Sequence, residues 1–190
     1  MGENQSNSVI LVLGGVRSGK SRYAQQLAGQ TTRVKFVATT ERRDDEEMHR
    51  KIERHRAERP AHWITVEEPV ALGRVIQAGE QDSDAILIDC LTVFGANLME
   101  VYKGDDSGLN ACVEEPYSAL KGSTRKVILV SNEVGSGVVP AYELGRRFRD
   151  LVGEINQRVA AVADTVLLMV AGLPLPFKGS LPAPVSGGDA

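Results

Sequence analysis

Val9-Ile-Leu-Val-Leu13, followed at once by Gly14-Gly15-Val16-Arg17-Ser18-Gly19-Lys20-Ser21, decides how the chain is read. Five apolar residues in a row, without polar alternation, predict a strand buried on both faces. The eight residues after it fit G-x-x-x-x-G-K-[ST]. At ordinary Gly and Lys frequencies that pattern arises by chance in roughly one chain of this size in a hundred, so its surroundings must decide. They do: an apolar run precedes it, and a helical pattern runs from Gly19 to Ala28 with Ala24, Leu27 and Ala28 on one side. Such a loop turns backbone N–H groups toward phosphate oxygens. Lys20 offsets the charge on the outer phosphates, Ser21 offers a hydroxyl to Mg²⁺, and the helix adds the positive end of its dipole.

Val34–Ala38 reads as a second short strand, and further apolar runs predict strands at Ala85–Asp89, Val127–Ser131 and Thr165–Ala171. Between the last two, Leu144, Phe148, Leu151, Ile155, Val159 and Val162 form a 3–4 stripe of one long helix, with Arg146, Arg147 and Arg149 pointing elsewhere and Pro140 near its start. Strands alternating with helices imply an α/β fold, a mostly parallel sheet with helices on both faces. Residues 9–178 are expected to form a single nucleotide-binding domain, with 1–8 and 179–190 as disordered tails. Asp89 closes an apolar strand, where a carboxylate beside the phosphate loop would hold Mg²⁺ directly or through water; a turn-forming aspartate is the other reading. Asn132 and Glu133 follow a strand at the same sheet edge. They either meet the γ-phosphate or the acceptor, or cap the loop before Pro140.

Composition narrows the function. The chain has 190 residues, 42% hydrophobic and 25% charged, with a formal net charge of -3. A globular fold without a broad positive field follows, so nucleic acid is a poor partner. Cys90 and Cys112 form no CxxC pair, which fits a reducing, cytoplasmic setting. No apolar run approaches the ~20 residues that would insert into a membrane. The start, Met1-Gly-Glu-Asn-Gln-Ser6, matches the loose N-myristoylation pattern, but no polybasic second signal follows it.

Asp44–Arg59 is a charged helical pattern stopped by Pro60. Met48, Ile52 and His55 share one face, and every other face is charged, so His55 is expected to turn toward protein among Arg54, Arg56 and Arg59. His49 lies on another side, and His62, next to Trp63, is a weaker candidate. His55 is either a hydrogen-bonded, partly buried histidine or a nucleophile, since imidazole is largely neutral near physiological pH.

Taken together, GGVRSGKSR, ATTE, DDEEM…RKIERHRAERPAHWITVEEP, ILIDCLT and SNEVGSGVVP…RRFRDLVGEINQRVAAVAD…VAGLP resemble the bifunctional adenosylcobinamide kinase/adenosylcobinamide-phosphate guanylyltransferases of cobalamin biosynthesis. The resemblance covers about Val9 to Lys178. It implies a RecA-like P-loop fold and a homotrimer. It implies phosphorylation of adenosylcobinamide by ATP or GTP, then GMP transfer from GTP through a guanylylated histidine, matched by His55. It places nucleotide contacts at Gly14 to Ser21, Thr39, Thr40, Glu41, Arg56, Ala57, Glu58, Arg59, Glu67 and Asp89. Tyr102–Arg125 reads as shorter and less helical than the family's equivalent, the tail after Lys178 is longer, and Val16 replaces a smaller residue. The rival readings are a plain P-loop small-molecule kinase with a structural His55, and a DNA-linked RecA-type ATPase module.

Overall fold

The computed structural model describes residues 8–40 and 60–182. The helix expected over Asp44–Arg59, with His49 and His55, lies outside the described residues, as do residues 1–7 and 183–190 of the expected tails. In chain order the elements are β1 (Val9–Gly14), α1 (Lys20–Ala28), β2 (Val34–Ala38), β3 (Ile64–Glu67), α2 (Leu72–Asp82), β4 (Ala85–Asp89) and α3 (Leu91–Val101). Then follow α4 (Asp106–Gly122), β5 (Lys126–Asn132), α5 (Glu143–Val162), β6 (Thr165–Val170) and β7 (Leu173–Lys178).

All seven strands join one sheet in the order β3-β2-β4-β5-β1-β6-β7, parallel except for the edge pair β6–β7. Each strand's side chains alternate between two cores. Val9, Leu11, Ile86, Ile88, Val127 and Leu129 face α2–α5, where they meet Leu72, Ile76, Phe94, Leu98, Leu120 and Ile155. Ile10, Val12, Phe36, Leu87, Ile128 and Val130 face the other way, onto Ala24, Leu27 and Ala28 of α1 and onto Trp63. That double burial is why β1, β4 and β5 read as unbroken apolar runs. Among the described residues, no helix is long and apolar enough to cross a membrane.

Four elements depart from the sequence expectation. β3 is short and mostly exposed, so no apolar run marks it. β7 carries Pro174 and Pro176, which an edge strand tolerates and a central strand does not. Tyr102–Arg125, expected to be weakly helical, contains the 17-residue α4, capped by Asp105 through the Gly108 N–H (2.9 Å). Pro116 inside α4 is buried against the core, so packing overrides its poor helix propensity. On α5, Leu144 is 64% exposed, whereas Leu151, Val152, Ile155, Asn156 and Val159 are buried. The stripe therefore takes effect only where the helix reaches the sheet.

α2 shows how a helix start is made without a capping residue of its own. Its N-cap, Ala71, has no side-chain acceptor. The carboxylate of Glu68 instead accepts from the N–H groups of Val70 (3.0 Å) and Ala71 (2.8 Å). Glu68→Ala is therefore expected to cost about 1 kcal/mol in a urea titration, with Glu68→Gln nearer wild type. An alanine variant as stable as wild type would contradict this cap.

Candidate active site

The phosphate loop leaves β1 at Gly14 and enters α1 at Lys20. Its curl is held from behind by the β6–β7 turn. Ala171 (φ 52) and Gly172 (φ 83) make a two-residue hairpin turn with positive φ at both positions. The Gly172 N–H donates to the Ser18 carbonyl (3.0 Å). Gly19 has φ 91, and a Cβ there would meet Gly172 Cα at 3.2 Å, so both conformation and space demand glycine. Arg17 takes a left-handed conformation (φ 57), and the Ser18 N–H turns back to the Gly15 carbonyl (3.3 Å). Gly15, Val16 and Arg17 are exposed, with Val16 at 85%; Ser18 is buried, and its Oγ has no partner.

Lys20 arches over this loop and donates from Nζ to the Gly15 carbonyl (3.1 Å). Burial lowers its pKa, while the charge of the nearby Asp89 acts to raise it. A bound polyphosphate would add counter-charge beside this half-buried ammonium. Ser21 follows in the first turn of α1.

Asp89 ends β4, level with Ala38 of β2 and Val130 of β5. It is not on a strand adjacent to β1, because β5 stands between them. The strand end directly beside the loop is Asn132, paired with Gly14, and the Glu133 N–H donates to the Gly14 carbonyl (3.2 Å). Asp89 still lies close enough for its charge to act on Lys20. Burial, and then the charge of Asp89, raise the Cys90 thiol pKa, which disfavours the thiolate.

Thr39 is wholly buried, and its hydroxyl is committed to the backbone of Cys90. It donates to the Cys90 carbonyl (2.8 Å) and accepts from the Cys90 N–H (2.9 Å). Buried Asn97 donates to the carbonyls of Thr39 (2.7 Å) and Pro69 (3.1 Å). Thr39 is thus a brace of the strand end that carries Asp89. Thr40 is half-buried, and Glu67 is exposed at the end of β3, paired with Ala38. His62 is exposed beside buried Trp63. Glu41, His55, Arg56, Ala57, Glu58 and Arg59 lie outside the described residues.

The sequence allows Asn132 and Glu133 two roles each, and the structure separates them. Glu133 caps its own loop, accepting from the Gly135 N–H (2.7 Å). Asn132 is gripped through its backbone: its N–H donates to Thr92 Oγ1 (2.8 Å), and its carbonyl accepts from Asn156 Nδ2 (3.1 Å). The side-chain oxygens of Asn132 and Asn156 are both buried without a donor. Sequence reasoning does not find Thr92 and Asn156. Their only signal there is a polar residue on an otherwise apolar helix face.

Comparison with known proteins agrees with this architecture. A family model described as cobinamide kinase / cobinamide phosphate guanyltransferase matches residues 10–177. The chain is 40% identical over 181 residues to the bifunctional adenosylcobalamin biosynthesis protein CobU of Escherichia coli, covering 90% of this chain and 99% of that protein. It is 43% identical over 175 residues to CobP of Pseudomonas aeruginosa, covering 89% and 96%. By fold it is similar to a prototypical ATPase of the type III secretion system, at a TM-score of 0.55 and 11% identity, over 85% of this chain and 50% of that one. The assembled secretion ATPase EscN gives the same TM-score and identity, over 42% of its chain. At that identity the likeness concerns the RecA-like P-loop fold alone. On the extent of its match, the chain belongs to the cobinamide kinase / cobinamide phosphate guanyltransferase family.

Proposed function

We propose that the protein phosphorylates the aminopropanol hydroxyl of adenosylcobinamide with ATP or GTP. It then transfers GMP from GTP to the new phosphate, giving adenosylcobinamide-GDP. The observation that carries the reading is the phosphate loop with Lys20 arched over it and Asp89 within electrostatic reach, in a chain of this family.

In the first step the loop's N–H groups and Lys20 bind the triphosphate and offset the charge that shifts as the γ-phosphoryl group moves; positioning does most of the work. Magnesium fits the donors present. Ser21 and Asp89 would offer two oxygen donors, and no group of three or more His, Cys, Asp or Glu side chains that could hold a metal occurs among the described residues. That sparse set suits an ion that draws its other ligands from phosphates and water. Ser21 and Asp89 would hold it, and it would neutralise phosphate charge.

In the second step neutral His55 attacks the α-phosphorus of GTP, and pyrophosphate leaves. An oxygen of the acceptor phosphate then attacks the phosphoramidate and releases the imidazole. The match of the HRAERP stretch to the family's motif supports this assignment.

The molecule acts as a homotrimer in this reading. Val170, Leu173, Leu175 and Phe177 form an exposed apolar strip at the β7 edge of the sheet. Pro174 and Pro176 lack N–H donors, so this strip suits packing by its face more than sheet extension. Light scattering at micromolar protein should report a trimer, and a monomer alone would refute that assembly.

Lys20→Ala should abolish phosphorylation of adenosylcobinamide while far-UV circular dichroism stays at the wild-type signal; near-normal turnover by the folded variant would refute the loop's role. With α-labelled GTP, the wild type should trap label in a bond labile to acid and stable to base, as a phosphoramidate is. His55→Ala should trap none and form no GDP-corrinoid, while His62→Ala traps as wild type does. Trapping that survives in His55→Ala and is lost in His62→Ala would reassign the nucleophile. A working kinase that never traps label would favour the plain-kinase reading.

A further inference from the structure

Three arginines crowd the first two turns of α5, and the fold uses two of them. Arg146 donates from Nη1 to the carbonyls of Pro140 (3.1 Å) and Ala141 (2.8 Å), which closes the loop before the helix. Arg147 donates from Nη2 to Asp106 (3.2 Å) at the start of α4. Arg149 differs. It is half-buried, and its Nη1 is shielded from solvent without any acceptor. A guanidinium cannot escape that position by losing its proton, so the vacant donor calls for an anion from elsewhere.

The helix geometry says where such an anion would stand. Asn156 follows Arg149 by seven residues, two turns of helix, so both lie on one face and about 10 Å apart along the axis. Asn156 marks the level of the sheet edge, because its amide holds the Asn132 carbonyl, and Asn132 is level with Gly14. α5 runs from beyond that edge back to the start of β6, so Arg149 stands roughly 10 Å outside it. The phosphate loop takes the nucleotide at the edge itself. The group that receives from the nucleotide must stand one layer further out, at the height of Arg149. At the foot of the same face lie two buried acceptors without donors, Asn132 Oδ1 and Asn156 Oδ1.

We propose that Arg149 binds the phosphate monoester of the acceptor, the group made in the first transfer and consumed in the second. Its planar fork takes two phosphate oxygens, and the amide oxygens of Asn132 and Asn156 accept from a ligand hydroxyl or a bridging water. The proposal rests on the two-step reading above and adds the site that tells phosphorylated acceptor from unphosphorylated.

Isothermal titration of the full-length protein with adenosylcobinamide phosphate and with adenosylcobinamide tests this directly. The wild type should prefer the phosphorylated ligand. Arg149→Gln should weaken that ligand by about 10- to 100-fold and leave the unphosphorylated one nearly unchanged. Arg149→Lys should fall between, keeping the charge and losing the fork, and it carries the test alone if the glutamine variant fails to fold. Equal weakening of both corrinoids would mean a structural arginine, and unchanged binding of both would mean no role. A loss confined to GTP would assign Arg149 to the donor. Each of these three overturns the proposal while the two-step function stands. A wild type that binds neither corrinoid would overturn that function and this site with it.

Discussion

The hydrogen bond from the Gly172 N–H to the Ser18 carbonyl is the contact on which the catalytic end of the molecule depends. A loop whose N–H groups face a ligand must turn its carbonyls the other way, and those carbonyls need donors behind them. The tight hairpin between β6 and β7 brings one such donor to the back of the loop. It also sets a steric limit. Gly172 Cα leaves no room for a side chain at position 19, and at Gly14 a Cβ would come within 2.9 Å of the Met169 carbonyl oxygen. The β6–β7 edge, far from the nucleotide in sequence, is therefore part of the phosphate site.

The same logic holds at the other strand ends. Asp89 and Asn132 are fixed by side chains that bond to backbone: Thr39 to Cys90, Asn97 to Thr39, Thr92 to the Asn132 N–H and Asn156 to its carbonyl. Where a sheet ends, its ladder stops, and the last N–H and C=O groups would otherwise rely on water. Meeting them with polar side chains satisfies these groups and fixes the strand ends that flank the loop. Sheet order adds a second consequence. With β5 between β1 and β4, an uncharged amide residue sits next to the phosphate loop, and the carboxylate stands one strand further off. The charge of Asp89 still reaches Lys20 across that strand.

The elements legible in the sequence are those with one dominant cause. β1, β4 and β5 are buried on both faces and announce themselves as apolar runs; the loop announces itself through glycines that backbone geometry requires. The rest are set by tertiary context. β3 has little burial to record in its pattern, β7 contains two prolines that only an edge position excuses, and α4 carries Pro116 inside a helix held by packing. At the site, Lys20, Ser21 and Asp89 are readable because motif chemistry names them. Thr92, Asn156 and Arg149 are not, because their meaning lies in what each side chain meets in the folded chain. Periodicity groups Arg149 with Arg146 and Arg147, pointing away from the apolar stripe. A single helix's pattern cannot separate an arginine used by a neighbouring helix from one left without an acceptor.

Two successive transfers place conflicting demands on one phosphate loop. The first moves the outermost phosphoryl group of a nucleotide, and the second breaks the bond at its innermost phosphorus. Backbone N–H groups along a curled loop do not choose between these bonds, since they bind the chain of phosphates as a whole. The choice must come from groups outside the loop that decide which phosphorus meets a nucleophile. For the second transfer the proposed nucleophile is His55, on the chain between β2 and β3. For the first it is a hydroxyl of the acceptor, which must approach from beyond the sheet edge, on the side of β5 and α5. The loop can therefore keep one set of phosphate contacts through both transfers, while groups outside it select the phosphorus that is attacked.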